Sequence, residues 1–201
     1  MARTESTMTA LGTSAPDFLL PDVTTGQSVS LNDFVRARAV LVMFISRHCP
    51  YVQHVKQELA RLGKDYAGRP LGIVAIGSND VALFPDDAPE RLREMSAELG
   101  LNYPILFDET QAVAKAYAAA CTPDFFLFDA DRRLVYRGQL DGSRPNNGVP
   151  LTGTDLRRAI DAVLAGLPAP AEQRPSLGCN IKWRAGNEPA YFQQPEAAKA
   201  P

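Results

Sequence analysis

At 201 residues, with 45% hydrophobic and 22% charged residues, the chain has the makeup of one globular domain with or without an extension, which excludes disorder throughout. Its 21 Lys and Arg against 23 Asp and Glu leave a formal charge of -2 and no basic stripe, so no nucleic-acid partner is expected. No run approaches the roughly 18 apolar residues of a membrane helix, and Met1 to Leu11 lacks the apolar core of a signal peptide, so the expectation is a soluble, cytoplasmic protein with no membrane partner.

Residues 1–15 mix Thr, Ser, Ala and Gly without period and read as a loose arm. From Pro16, two short extended runs, Asp17 to Asp22 and Gly26 to Leu31, flank the turn-prone Thr24-Thr25-Gly26 and predict a β-hairpin. Ala39 to Ile45 is seven residues without a charge and rich in branched side chains, as in a strand buried on both faces. After Ser46-Arg47-His48-Cys49-Pro50, the spacing of Val52, Val55, Leu59 and Leu62 predicts a helix to about Tyr66. Leu71 to Ile76 predicts a second buried strand, followed by a polar loop over Asn79 to Pro89 and a helix over Glu90 to Leu99. This alternation predicts a parallel strand pair joined by a crossover helix.

Further elements are a strand over Tyr103 to Phe107, a helix over Glu109 to Ala119, and paired strands over Phe125 to Phe128 and Leu134 to Arg137. A last helix is expected over Asp155 to Leu164. The domain is expected to span residues 16–166. Residues 167–201, with six of the sixteen prolines and no periodicity, are expected to pack against it as a tail.

Cys49, Cys121 and Cys179 are too few for a disulfide framework and read as individual thiols. Cys49 follows a buried strand and precedes Pro50, which is favoured at the first helical position, so its thiol is expected at the helix N-cap. Free N–H groups and the helix dipole stabilise a thiolate there, and the thiolate is the form that attacks peroxides and disulfides. Arg47 and His48 offer positive charge beside it, and Ser46 has a hydroxyl within a turn's reach of the sulfur. Both histidines of the chain, His48 and His54, flank Cys49, but His54 lies too far round the helix and the spacing matches no zinc pattern, so no metal is expected. Before the strand at Phe125, Pro123 holds Thr122 extended and presents its backbone for β-like pairing with a substrate chain. No phosphate-binding loop is present, so no organic cofactor is expected.

Three segments together resemble the thioredoxin fold and, within it, the redoxin or AhpC/TSA-type proteins: the hairpin with Pro16-Asp17-Phe18 and Val29-Ser30-Leu31, the strand-turn-helix Phe44 to Val52, and Thr122-Pro123 before Phe125 to Asp129. Gly178-Cys179-Asn180-Ile181-Lys182-Trp183 with Gly186-Asn187-Glu188-Pro189 resembles the tail of a subfamily with an H-C-P-Y-V site. The resemblance implies an α/β fold with a mixed sheet flanked by helices, and a cis-proline at Pro123 facing Cys49 with Cys121 nearby. Members often carry C-x-x-C where this chain has Ser46-Arg47-His48-Cys49, so the two-cysteine motif is absent. One-cysteine chemistry as in peroxiredoxins fits better, although their proline seven positions before the cysteine is Val42 here.

The expected function is a thiol-dependent oxidoreductase in which Cys49 attacks a peroxide or a disulfide, with Cys121, Cys179 or an external thiol reductant resolving the product. The competing reading is a redox-inactive binding or chaperone-like module that holds extended peptides in the groove at Thr122 and Pro123.

Overall fold

The computed structural model describes residues 3–192. In chain order the strands are β1 (Arg3–Glu5), β2 (Leu19–Pro21), β3 (Ser28–Ser30), β4 (Ala39–Ile45), β5 (Leu71–Gly77), β6 (Ile105–Phe107), β7 (Cys121–Thr122), β8 (Asp124–Phe128), β9 (Leu134–Gly138) and β10 (Leu177–Asn180). The helices are α1 (Pro50–Asp65), α2 (Pro89–Leu99), α3 (Ala112–Ala116) and α4 (Thr154–Leu164).

Five strands form the central sheet in the order β6-β5-β4-β8-β9. β4 and β5 are parallel, as are β5 and β6, whereas β8 is antiparallel to β4 and to β9. With helices on the sheet and the β2-β3 hairpin ahead of it, this is a thioredoxin-like α/β fold. The uninterrupted apolar run of β4 follows from its central place, because its alternate side chains feed two cores. Leu41, Met43 and Ile45 pack with Val52 and Leu59 of α1 and Ile160 of α4. Val40, Val42 and Phe44 pack on the other face with Phe18, Tyr117 and the tail residues Ile181 and Trp183.

A buried carboxylate fixes α1 against α4. Glu58 is closed to solvent, accepts a hydrogen bond from Arg157 Nε at 2.7 Å, and pairs with Arg61. Removing one partner from such a buried pair costs about 3–5 kcal/mol, so the helix that begins at Cys49 is firmly seated.

Two terminal segments differ from the sequence expectation. Arg3–Glu5, read as part of a loose arm, forms β1 along β10, and the Ser6 and Gly12 amides donate to Ser176 and Leu134 carbonyls at 3.0 and 2.8 Å. The tail, read as irregular, contributes β10 between β1 and β7. Both are held by main-chain pairing, which needs no hydrophobic period in either segment. Among the described residues no helix is long and apolar enough to cross a membrane.

Candidate active site

Cys49 is extended (φ -71°, ψ 121°) and occupies the N-cap of α1, with Pro50 at the first helical position. β4 delivers it to the end of the sheet, where β8 is preceded by Pro123 in a cis peptide bond with Thr122. In its protonated form the Cys49 thiol donates to the Thr122 carbonyl at 3.1 Å. The sulfur is fully buried, and burial alone opposes ionisation. A hydrogen bond from the Cys179 thiol is the largest influence in the other direction. Together with the Thr122 hydroxyl and the amides of Val52 and Cys179, it brings the Cys49 pKa down to about 6.

The neighbouring thiols behave oppositely. Cys179 is pushed up, first by its hydrogen bond to Cys49, then by burial and the Cys49 charge. Cys121 is pushed well up by burial and by Asp124. The small antiparallel sheet separates these two cysteines. Cys179 lies directly opposite Thr122, and Asn180 opposite Cys121, so Thr122 and Cys179 share one face while Cys121 projects from the other. Cys121 accordingly contacts the Pro123 carbonyl, at 3.6 Å.

The turn before Cys49 is clasped by Asp87, which is almost fully buried. Its carboxylate accepts from the amides of Arg47 (2.6 Å) and His48 (3.4 Å), from His48 Nδ1 (2.6 Å), from Asn79 Nδ2 (2.6 Å) and from Ser46 Oγ (3.0 Å). Burial pushes Asp87 upward, but His48, Asn79 and Ser46 outweigh it and hold the carboxyl below its usual range. His48 is raised in turn by Asp87 and its ring stacks on Phe84 with centroids 5.3 Å apart. Ser46, expected to bond the sulfur, spends its hydroxyl on Asp87, because a buried carboxylate is a far stronger acceptor than sulfur. Arg47 turns to Glu94 and Glu98 of α2, each at 3.5 Å. His54 faces away, with Nε2 2.8 Å from Ser143 Oγ.

The pairing edge expected to receive a substrate chain at Thr122 is filled by β10 of the same molecule. The fit is close, for a Cβ added at Gly178 would lie 2.0 Å from the Thr122 carbonyl oxygen. Only glycine permits this approach.

Sequence reasoning missed Asp87, Asn79, Phe84 and Lys182. Lys182 follows β10, hydrogen-bonds Asn180, and is lowered by burial while the Cys179 and Cys49 charges oppose that shift. Nothing in the sequence selects Asp87 from its neighbour Asp86, since only the fold brings that loop to the Cys49 turn. Among the described residues no group of His, Cys, Asp and Glu is arranged to hold a metal ion.

Fold and thiol geometry together define a redoxin-type protein, and the chain belongs to the AhpC/TSA family, whose model matches residues 11–137. An uncharacterized conserved protein of Geobacillus kaustophilus has a structure of TM-score 0.90 at 53% identity, covering 92% of this chain and 97% of its own. A hypothetical protein of Sinorhizobium meliloti 1021 gives TM-score 0.89 at 51% identity, covering 91% of this chain and 100% of its own. The thiol-disulfide oxidoreductase ResA of Geobacillus thermodenitrificans (strain NG80-2) is 28% identical over 131 residues, which is 65% of this chain and 70% of that protein.

Proposed function

We propose that the protein is a thiol-dependent oxidoreductase of the H-C-P-Y-V group of redoxins, with Cys49 as its nucleophile and a small peroxide or disulfide as its oxidant. The observation that carries the reading is the Cys49 sulfur at the start of α1, held toward the thiolate by Cys179, Thr122 and Val52. Pro50 starts the helix, and Ser46 and His48 are positioning residues acting through Asp87. Thr122 and Pro123 form the wall opposite the sulfur. The kinship with thiol-disulfide oxidoreductases supports the same chemistry.

With a pKa near 6, about 90% of Cys49 is thiolate at pH 7, against about 3% for an ordinary cysteine. Nucleophilicity falls as pKa falls, with a coefficient of about 0.4–0.5, which gives back roughly 10- to 20-fold of that roughly 30-fold gain. Reactivity well above a free thiol must therefore come from groups positioned around the attacked bond. A low pKa acts more strongly when Cys49 is the leaving thiol, which speeds reduction of its mixed disulfide. Full burial of the sulfur favours a small oxidant over the disulfide of a folded protein. The absence of exposed β edge at Thr122 weighs against the peptide-holding module, because β10 already fills that edge. An external thiol reductant closes the cycle, in keeping with a cytoplasmic setting.

The test is the rate at which reduced protein consumes hydrogen peroxide, and separately oxidised glutathione, with Cys49→Ser as control. The reading expects at least one oxidant to react much faster than with free cysteine, and the control to abolish the excess. Rates equal to those of free cysteine for both would refute it.

A further inference from the structure

We infer that Cys49 and Cys179 form one redox-active dithiol, built from the helix start and the tail strand in place of a C-x-x-C motif. The inference deepens the proposed thiol chemistry by naming its resolving group. β10 runs where an extended substrate would pair with Thr122, and it brings a cysteine against the nucleophile as such a substrate would. Cys179 is held from both sides, opposite Thr122 on β7 and opposite Arg3 on β1. Its thiol and its amide both hydrogen-bond the Cys49 sulfur. Gly178 allows β10 to press against the Thr122 carbonyl, which sets the depth at which the next residue, Cys179, sits. Cys121, the other cysteine at the site, projects from the opposite face of this sheet.

The electron balance closes within the pair. Cys49 thiolate attacks one oxygen of a hydroperoxide, an S–O bond forms, the O–O bond breaks, and the leaving oxygen takes a proton and departs as water or an alcohol. Cys179 sulfur then attacks Cys49 sulfur, an S–S bond forms, the S–O bond breaks, and hydroxide leaves with the Cys179 proton as water. The dithiol has lost two electrons and the peroxide has gained them. A small disulfide oxidant follows the same path, its two thiols leaving in turn, and an external dithiol reduces the bridge.

The geometry also orders the two steps. While Cys49 is a thiolate, its hydrogen bond and charge keep Cys179 protonated. Oxidation of Cys49 removes both of these influences, leaving burial alone to hold the Cys179 thiol up against the pull of Lys182. The resolving thiol is thus easier to ionise once there is something to resolve.

Two measurements on the full chain test this. The first treats reduced protein with stoichiometric hydrogen peroxide, with dimedone present to trap sulfenic acid, and maps cysteines by peptide mass spectrometry without reduction. The expected product is a Cys49–Cys179 linked peptide, with Cys121 still open to alkylation after denaturation. Cys179→Ser is expected to lose the bridge and raise dimedone adducts at Cys49 by at least tenfold. The second equilibrates the wild-type protein with oxidised and reduced glutathione, which asks whether the bridge forms without requiring a fast peroxide reaction or a folded variant. Oxidation at Cys49 with no bridge to Cys179 in either measurement would overturn the inference and leave the proposed function standing. A bridge in glutathione with slow chemistry toward both oxidants would do the reverse. No oxidation in either would overturn both.

Discussion

Replacing Asp87 with Asn tests whether the clasp around the Cys49 turn holds as the geometry requires. One oxygen of the carboxylate accepts from the Arg47 and His48 amides, and the other from His48 Nδ1 and Asn79. An amide keeps one side and turns an NH2 toward donors on the other. At least two hydrogen bonds to a buried charge are lost, at about 1.5–3 kcal/mol each, for a total of roughly 3–6 kcal/mol. For a chain of this size that lowers Tm by roughly 6–24 °C. The sign with pH follows from the two shifts. His48 is raised above 6.5, so its contribution is complete below that value and is lost as pH rises through its folded pKa. Asp87 is lowered below 3.8, so its contribution is complete above that value and is lost as pH falls through its folded pKa. The deficit of Asp87→Asn is therefore largest between pH 3.8 and 6.5 and narrows on either side. Thermal unfolding followed by circular dichroism across pH, with His48 titrated by NMR, measures both quantities. A Tm loss below about 3 °C, with His48 still titrating above its ordinary value, would refute the reasoning.

Alkylation of reduced protein by iodoacetamide is expected to give a Cys49 rate that rises with pH, bends near pH 6 and is flat above pH 7, read by mass spectrometry at that residue. A midpoint at 8 or higher would remove the stabilised thiolate. Asp124, fully buried behind the cis-proline, is raised to about 7 by burial against the pull of the Ala120, Phe125 and Cys121 amides. Its folded pKa lies above the unfolded one, so stability is fullest below about pH 4 and falls as pH rises through 7. Asp124→Asn keeps the Ala120 amide on its oxygen, sets its NH2 where Oδ1 has no partner, and removes a buried charge costing several kcal/mol, so denaturant unfolding should show the variant gaining on wild type from pH 5 to 8. Parallel stability curves would contradict this.

The central elements were legible because local pattern and final burial agree in them. β4 matches its apolar run residue for residue, and α1 begins at Pro50 as the proline and the apolar spacing require. The helix expected over Glu109 to Ala119 shortens to α3 because tertiary contacts take its ends. Gln111 turns left-handed at φ 62°, its side chain donating to the Ser78 and Lys182 carbonyls, and Ala118 turns left-handed at φ 51°. β10 was not legible, since Leu-Gly-Cys-Asn has no alternation and becomes a strand only through its partners. At the site, Cys49, Pro50 and Pro123 could be read from adjacency in the chain. The Asp87 clasp and the Cys179 contact join residues far apart in sequence: residue type made Cys179 one of several candidate resolving thiols without placing it, and nothing marked Asp87.

The placement of β10 bears on why a site with one cysteine in its helix turn keeps the family's other features. A serine at position 46 removes the nearby resolving thiol of a C-x-x-C arrangement, and the Ser46 hydroxyl is committed to Asp87. A tail strand lying in the groove beside Thr122 supplies a thiol from the opposite side of the same sulfur. It also fills the pairing edge that an extended peptide would use; on the proposed reading, an internal second thiol takes the place of breadth toward protein substrates. The same strand carries Lys182 and Ile181 into the Asp87 network and the second core, through the Asn79 side chain and the Phe44 face of the sheet. Loss of the tail should therefore cost both the second thiol and the packing that holds the Cys49 turn, which makes residues 177–183 as much a part of the site as the turn itself.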